Sequence, residues 1–371
     1  MRAVGEALTM LAGRVAEALR VGAVFPVGLG RTALWAALKT LRAEGHCVAV
    51  PDFICRQVLD AIRAAGAAPV FYRVGADLRI DPESFVTALR RGCRVALLVD
   101  YFGQVGEEIP GLAERARTCG AAVIEDAALA WGASLNGRLA GSFGDLAIFS
   151  LTKTGWNYGG GVAVTCREDL REALARLEHA LPLDGRRLLL YGALRRLDFA
   201  ANRVRGGRFL AACGWLAQHV LLPGKRDFYE AAPVTLAMPD FAARRALRWM
   251  AEEPQRVARR RAALARLLQE PAIAEALLRP AGGPGDNGAF LLLRSQNSQA
   301  ALWRQRAATR GVTLRLCWPA YQELEPEQFC ATLARLAQEV AILEIHPDWT
   351  PDEIDHIACV LSGLIRHAGR G

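Results

Sequence analysis

The sequence predicts an α/β protein, with a mostly parallel sheet between helices and a smaller α/β domain at the C-terminal end. Three observations predict it. From about residue 24 to 165, short β-rich apolar runs alternate with segments of helical period, as they do where crossover helices cover both faces of a parallel sheet. From Glu168 to roughly Leu222 the chain turns helical and rich in Arg and Leu. Near Pro239 a second compact set of helices and strands begins, and 371 residues exceed what one minimal core needs. The expected division is a large domain over 1–238, including the helical segment 168–222, and a small domain over 239–371.

Taken in order, Met1–Val21 reads as an amphipathic helix. Arg2, Glu6, Arg14, Glu17 and Arg20 interrupt any apolar run of the kind a secretory leader needs. Strands are expected at Cys47–Pro51, Pro69–Tyr72, Arg94–Val99, Ala121–Glu125, Leu146–Phe149 and Gly161–Thr165, where β-branched and aromatic residues gather. Between them, Leu34–Leu41, Gln57–Ala65, Glu83–Arg90 and Pro110–Cys119 carry the helical spacing. The second domain reads as a long helix through Arg259–Leu268, a strand at Ala289–Leu293 and a helix at Gln299–Arg310. Strands at Thr313–Leu316 and Ala341–Ile345 and a final helix from Pro351 complete it.

Composition narrows the function. Hydrophobic residues make up 52% and charged residues 23% of the chain, which excludes wholesale disorder. Lys+Arg 46 against Asp+Glu 38 gives a net charge of +8, yet only three of the basic residues are lysines, leaving 43 arginines spread along the chain. No dense basic block interleaved with aromatics occurs, so no nucleic-acid partner is expected. The nine cysteines are scattered, with no CxxC pair and no metal-ligand spacing. They read as small buried residues of a reducing, cytoplasmic compartment, and no metal is expected. No run of 18 uncharged apolar residues is present to span a membrane.

Three features carry chemistry. Lys39 and Lys225 read as solvated charges, whereas Lys153 follows the strand Leu146–Phe149 and precedes Gly159-Gly160-Gly161, a place where an amine can be desolvated and made nucleophilic, although taken alone it reads equally as a loop lysine in water. Val123-Ile124-Glu125-Asp126-Ala127-Ala128 closes a strand with acids. A carboxylate at the C-terminal end of a parallel strand can face a ligand crevice, or simply cap the next helix. Gly28-Leu29-Gly30-Arg31-Thr32-Ala33 opens a helix, whose N–H groups suit an anion such as phosphate. A phosphate cradle, an acid for a pyridine nitrogen and one privileged lysine are together the handles that grip pyridoxal 5'-phosphate.

The order and spacing of these features resemble the DegT/DnrJ/StrS family of pyridoxal-phosphate enzymes, best known as sugar aminotransferases. The segments that carry the likeness are Gly30-Arg31-Thr32-Ala33-Leu34, Val50-Pro51-Asp52-Phe53, Ala65–Phe71, Tyr101-Phe102-Gly103-Gln104 and Ile124-Glu125-Asp126-Ala127-Ala128. Gly141-Ser142-Phe143-Gly144-Asp145, Phe149-Ser150, Trp318-Pro319 and Leu343-Glu344-Ile345-His346-Pro347 extend it. The resemblance implies the type I, aspartate-aminotransferase fold, with a seven-stranded type of sheet. It implies that Asp126 faces the pyridine nitrogen, that Lys153 joins the cofactor's aldehyde as a Schiff base and moves the proton, and that Ser150 with Gly30, Arg31 and Thr32 holds the phosphate. It also implies a homodimer, an amino donor such as glutamate or glutamine, and a keto group on a nucleotide-linked sugar as acceptor.

The chain departs from the family at several points. Leu129 stands after "DAA" where a Gln or His usually contacts the ring oxygen, and leucine can neither donate nor accept a hydrogen bond. Trp131 replaces a frequent His. Cys55 occupies the position of the aromatic that stacks on the ring. Only two residues separate Ser150 from Lys153, which shortens the lysine loop, and the partner-contributed loop expected near Pro233–Met238 lacks its usual Asn and Arg. Two other readings therefore stand beside transamination. One is the same cofactor used for elimination, cyclisation or decarboxylation of an amino-acid-like metabolite, and the other is a non-catalytic homologue. The segment 188–222, with Phe209 and Trp215 among arginines, reads as a packing or dimer surface in preference to a membrane contact.

Overall fold

The computed structural model describes residues 5–153, 159–186, 189, 193, 234–295, 298–316 and 331–368. The helical segment 188–222, Lys225 and Trp318-Pro319 therefore lie outside the described residues, apart from positions 189 and 193.

The described chain opens with α1 (Glu6–Leu19), β1 (Ala23–Val27), α2 (Gly30–Thr40), β2 (Cys47–Pro51), α3 (Arg56–Ala64), β3 (Ala68–Tyr72) and α4 (Pro82–Leu89). It continues with β4 (Val95–Val99), α5 (Ile109–Thr118), β5 (Ala122–Asp126), a short hairpin of β6 (Ser134–Leu135) and β7 (Arg138–Leu139), β8 (Leu146–Ser150), β9 (Gly161–Thr165) and α6 (Glu168–Ala180). Seven strands form one sheet in the order β1-β9-β8-β5-β4-β2-β3. The neighbours from β8 to β3 run parallel, and β9 is antiparallel to both β8 and β1. Every residue of β4, β8 and β9 is buried, as a strand covered on both faces requires. The anticipated strands fall within a residue or two of those observed. The sequence reading did not list β1, whose Pro26 cannot donate to a ladder. It is tolerated because β1 is a terminal strand of the sheet, paired in a ladder with β9 alone.

The remaining elements are α7 (Asp240–Leu267), α8 (Pro271–Glu275), β10 (Phe290–Arg294), α9 (Ala300–Ala308), β11 (Arg315–Leu316), α10 (Ala331–Glu339), β12 (Val340–Glu344) and α11 (Pro351–Ala368). The three strands make an antiparallel sheet in the order β10-β12-β11. Two hydrophobic cores meet across it. Phe290, Leu292, Val340 and Ile342 pack with the large sheet, while Leu291, Leu293, Ala341 and Leu343 pack with Leu361 and Leu364 of α11. The strand alternation thus buries one face of β10 and β12 in each core. The long α7 does the same along its length: Ala242, Ala243, Ala246 and Trp249 join the large core, and Ala263, Leu264 and Leu267 the small one.

A polar clasp fixes the two parts together near the carboxyl ends of β4 and β5. Asn287, fully buried, donates from Nδ2 to the carbonyls of Leu129 and Trp131 at 2.9 and 3.1 Å, and its backbone N–H donates to Gly103 O at 3.0 Å. Gln104 Nε2 donates to Asp286 Oδ2 at 2.8 Å. Gly103 sits at φ +85 with Asn287 Oδ1 where its Cβ would be. Gly103→Ala is therefore expected to lower stability by about 3 kcal/mol, combining positive-φ strain and overpacking. Urea unfolding checks it, and a loss below about 1 kcal/mol would mean that the clasp yields easily.

Candidate active site

The carboxyl ends of β4, β5 and β8 and the N-terminus of α2 surround one pocket. Its lining includes Gly30, Arg31, Cys55, Asp100, Asp126, Leu129, Ser150, Thr152 and Lys153. This is the crevice at strand C-termini where ligands of open α/β sheets bind. Of the candidate cofactor-binding residues named from the sequence, all but Thr32 line it. Thr32 is fully buried, and its hydroxyl donates to Val234 O at 2.5 Å, so its side chain braces the segment that returns along β1.

Asp126 ends β5 at 6% exposure, and its Oδ1 accepts the N–H of Ala128 at 3.1 Å, a local turn in place of a helix cap. Burial pushes its carboxyl up to about 6, against the pull of the Ala128 N–H and of Lys153. Its neighbour Glu125 points to the other side of the strand. There Oε1 accepts the N–H of Gly141 at 2.5 Å, and Oε2 accepts those of Phe143 and Gly144 at 2.6 and 3.1 Å. The Glu-Asp pair thus divides its labour. Glu125 pins the Gly141–Asp145 turn that leads into β8, which leaves Asp126 for the pocket.

β8 delivers Ser150, whose Oγ lies 2.9 Å from Thr152 Oγ1, both side chains buried. Gly30, the first residue of α2, stands directly opposite. A Cβ on it would come within 3.1 Å of Ser150 Cβ and 3.4 Å of Ser150 Oγ. Glycine keeps this corner open, next to two hydroxyls and a helix N-terminus, as an anion site needs. Arg31, 8% exposed, adds positive charge beside it.

Lys153 lies two residues past Leu151, in the turn after β8, and its backbone N–H donates to Ser150 O at 3.3 Å. The sequence reading expects a desolvated amine, but Lys153 is exposed at the pocket's rim. The strand end buries Ser150, Leu151 and Thr152 and stops short of the lysine. Lys39 is a surface charge, bonded to Glu44 at 2.7 Å. Cys55 precedes α3 and lines the pocket. Burial pushes its thiol up, opposed by Lys153 and by the N–H of Gln57. Trp131 belongs to the core, edge-on to Phe149 and Trp249 at 5.2 and 5.4 Å between ring centres.

Two groups escaped the sequence reading. Asp100 directly follows the apolar run Val95–Val99, and a charge closing a strand was the available signal. Asn287 gave none, since its role depends on carbonyls more than 150 residues away. No group of His, Cys, Asp or Glu suited to a metal is found among the described residues. No described helix is long and apolar enough to cross a membrane.

The residues present fit pyridoxal phosphate: an acid, an amine and a cradle at a helix N-terminus converge on one pocket. A model of the DegT/DnrJ/EryC1/StrS aminotransferase family matches residues 1–187. GDP-perosamine synthase of Vibrio cholerae is 29% identical over 223 residues, 58% of this chain and 58% of its own. The UDP-N-acetyl-3-dehydro-alpha-D-glucosamine 3-aminotransferase of Acidithiobacillus ferrooxidans is 29% identical over 209 residues, 52% of this chain and 56% of its own. The matches thus span little more than half the length of these relatives. Among solved structures, a sugar aminotransferase of Streptococcus pneumoniae in its PMP form superposes with a TM-score of 0.76 at 17% identity, covering 98% of this chain and 93% of that one. That likeness gives the fold, a type I α/β architecture with its mostly parallel sheet.

Proposed function

Because the chain belongs to the DegT/DnrJ/EryC1/StrS aminotransferase family, we propose that it is a pyridoxal-phosphate-dependent aminotransferase that moves an amino group from glutamate or glutamine to a keto group of a nucleotide-linked sugar. The observation that carries this reading is the meeting of Lys153 and Asp126 in one pocket whose far corner is kept open by Gly30 beside Ser150. The substrate class rests on the relatives named above, which are enzymes of nucleotide-linked amino sugars by name.

When bound, the cofactor supplies an aldehyde to receive the amino group and a ring that withdraws electrons. The chain does the rest. The N-terminus of α2, Ser150 and Arg31 bind and orient the phosphate. Asp126, ionised at neutral pH, holds a proton on the ring nitrogen. Lys153 would hold the aldehyde at its Nζ and is the one described lysine on the pocket able to carry a proton to and from the substrate carbon. Its place at the rim leaves that amine room to move. We further propose that the protein works in the cytoplasm, in keeping with nine cysteines that show no paired spacing, and as a homodimer, as its resemblance to the family implies.

The test is direct. Purified protein mixed with pyridoxal phosphate is expected to show a visible absorption band, and borohydride is expected to fix the cofactor on Lys153 by peptide mass spectrometry. Glutamate or glutamine is then expected to convert the band, and a nucleotide-linked keto sugar to restore it. A band that no amino donor converts would favour the non-catalytic reading. Conversion without a transferred amino group would favour elimination or decarboxylation.

A further inference from the structure

The residue that clasps the two parts of the molecule also stands behind the acid of the pocket. Asp126 leads into a tight turn, in which the Ala128 N–H donates to Asp126 Oδ1 at 3.1 Å and the Ala130 N–H donates to Ala127 O at 2.9 Å. Ala128 and Leu129 of this turn line the pocket beside Asp126. No strand or helix covers residues 127–133, so the carbonyls there need donors from elsewhere. Asn287, just ahead of β10, supplies two of them: its Nδ2 donates to Leu129 O at 2.9 Å and to Trp131 O at 3.1 Å.

Asn287 is itself locked in place. It is fully buried, its Oδ1 accepts the Ala289 N–H at 3.0 Å, and its own backbone N–H donates to Gly103 O at 3.0 Å. Both donors of the side-chain amide are used, and turning the amide over would set an oxygen against two carbonyls. Gln104, the other side chain of the clasp, donates to Asp286 Oδ2 at 2.8 Å and to Pro280 O at 3.0 Å, not to the turn after Asp126.

We propose that Asn287 is a positioning residue for Asp126: by holding the carbonyls of Leu129 and Trp131 it fixes the turn whose Ala128 N–H aims the Asp126 carboxylate into the pocket. The proposal rests on the reading that pyridoxal phosphate binds there with its ring nitrogen at Asp126. It gives a residue 158 positions downstream of Leu129 a part in setting the ring acid.

The Ala128 N–H is the foremost influence that holds the Asp126 carboxyl down against burial, ahead of Lys153. A turn released from Asn287 loosens that bond, and Asp126 then takes up its proton at a higher pH. The other titratable groups that act on Asp126 or feel its charge are Lys153, Asp100, Cys55 and Tyr72. None of them is a hydrogen-bond partner of Asn287.

Titration of the full chain with pyridoxal phosphate between pH 5.5 and 8 tests it, read by absorbance and intrinsic fluorescence with no turnover assay. Affinity of the parent protein is expected to fall as pH drops through about 6, where Asp126 takes up its proton. In Asn287→Ala that midpoint is expected to move up by about one pH unit, the worth of one hydrogen bond to a charged group. Binding is then about eightfold weaker than in the parent at pH 5.5 and within about twofold of it at pH 8. Asn287→Ser, whose shorter side chain cannot span the two carbonyls, is expected to shift the same way and decides alone if the Ala variant does not fold. Gln104→Ala loosens the same clasp and is expected to leave the midpoint in place. An unmoved midpoint in a folded Asn287 variant would overturn the proposal, and so would an equal shift in Gln104→Ala, which would assign the effect to a looser clasp. If the parent protein itself binds no cofactor, the functional reading fails and this proposal with it. A parent that binds cofactor beside an indifferent Asn287 variant overturns the proposal only.

Discussion

Replacing Lys153 by alanine should lower turnover by about 10⁴-fold or more, since it removes the nucleophilic amine and the proton carrier together. No other described lysine can stand in. Lys39 is on the surface and bonded to Glu44, and Lys153 is the one described lysine lining the pocket. The substitution acts on Asp126 as well. Lys153 is one of the two influences that hold the Asp126 carboxyl down against burial, so its removal moves that group above about 6 and leaves more of it protonated near neutral pH. Lys153→Arg separates the two effects. It restores the positive charge opposite Asp126 but supplies no amine able to join an aldehyde. The expected pattern is loss of turnover in both variants, loss of the borohydride-fixed cofactor in both, and better retention of loosely bound cofactor in the Arg variant. Amino transfer to a keto sugar, followed with labelled glutamate, measures the first. A decrease of less than about tenfold in Lys153→Ala would remove Lys153 from the role.

The second large effect concerns stability. Arg260 and Glu253 lie two turns apart on α7 and form a buried ion pair at 2.8 Å, with side-chain exposures of 2% and 7%. Burial raises the Glu253 carboxyl to about 7, against the pull of Arg260. Removing one partner of such a pair typically costs about 3–5 kcal/mol, and Arg260→Leu is expected to fall in that range at pH 8. The sign of the pH dependence follows from the raised pKa. A carboxyl that titrates at about 7 when folded, and near 4.3 when unfolded, is favoured in its protonated form by folding. Its contribution is fully present at low pH and is lost as pH rises through 7. Without Arg260 the folded pKa rises further, so the loss continues to higher pH. The variant is therefore expected to sit closer to the parent protein at pH 5.5 than at pH 8. Glu253→Leu combined with Arg260→Leu should recover most of the deficit, because apolar replacement of both partners removes the stranded charge. Urea unfolding of the three proteins at both pH values checks it, and a pH-independent deficit would refute the account.

Much of the fold and site could be read from the chain because their causes are local. The strands β2, β4, β5, β8 and β9 announce themselves as short apolar runs, and a parallel sheet places their C-terminal residues together. Asp126, Ser150 and Lys153 could thus be assigned to one crevice before any coordinates. The Gly-Arg-Thr turn opened α2 as expected, although Thr32 turned its hydroxyl to Val234, a partner 202 residues away that no local pattern announces. What the chain concealed was cross-chain satisfaction of polar groups. Asn287 looks like a loop residue until the carbonyls of Leu129 and Trp131 are brought to it. Glu125 looks like the equal of Asp126, and only strand alternation combined with the Gly141–Gly144 turn assigns it to holding the backbone. The short hairpin β6–β7 offered only two residues per strand, too few for a period to show.

The 28-residue helix α7 leaves the protein without a seam. One continuous rod supplies ridges to two cores, so severing the chain ahead of it would strip Trp249 and its neighbours from the sheet that needs them, and severing it midway would unmake both halves. The natural place for the rod to give is Pro254, which lacks the N–H that would bond one turn back. The buried Glu253–Arg260 pair begins immediately before that proline and spans it. With both cores built on this one rod, the molecule is expected to melt as a single body.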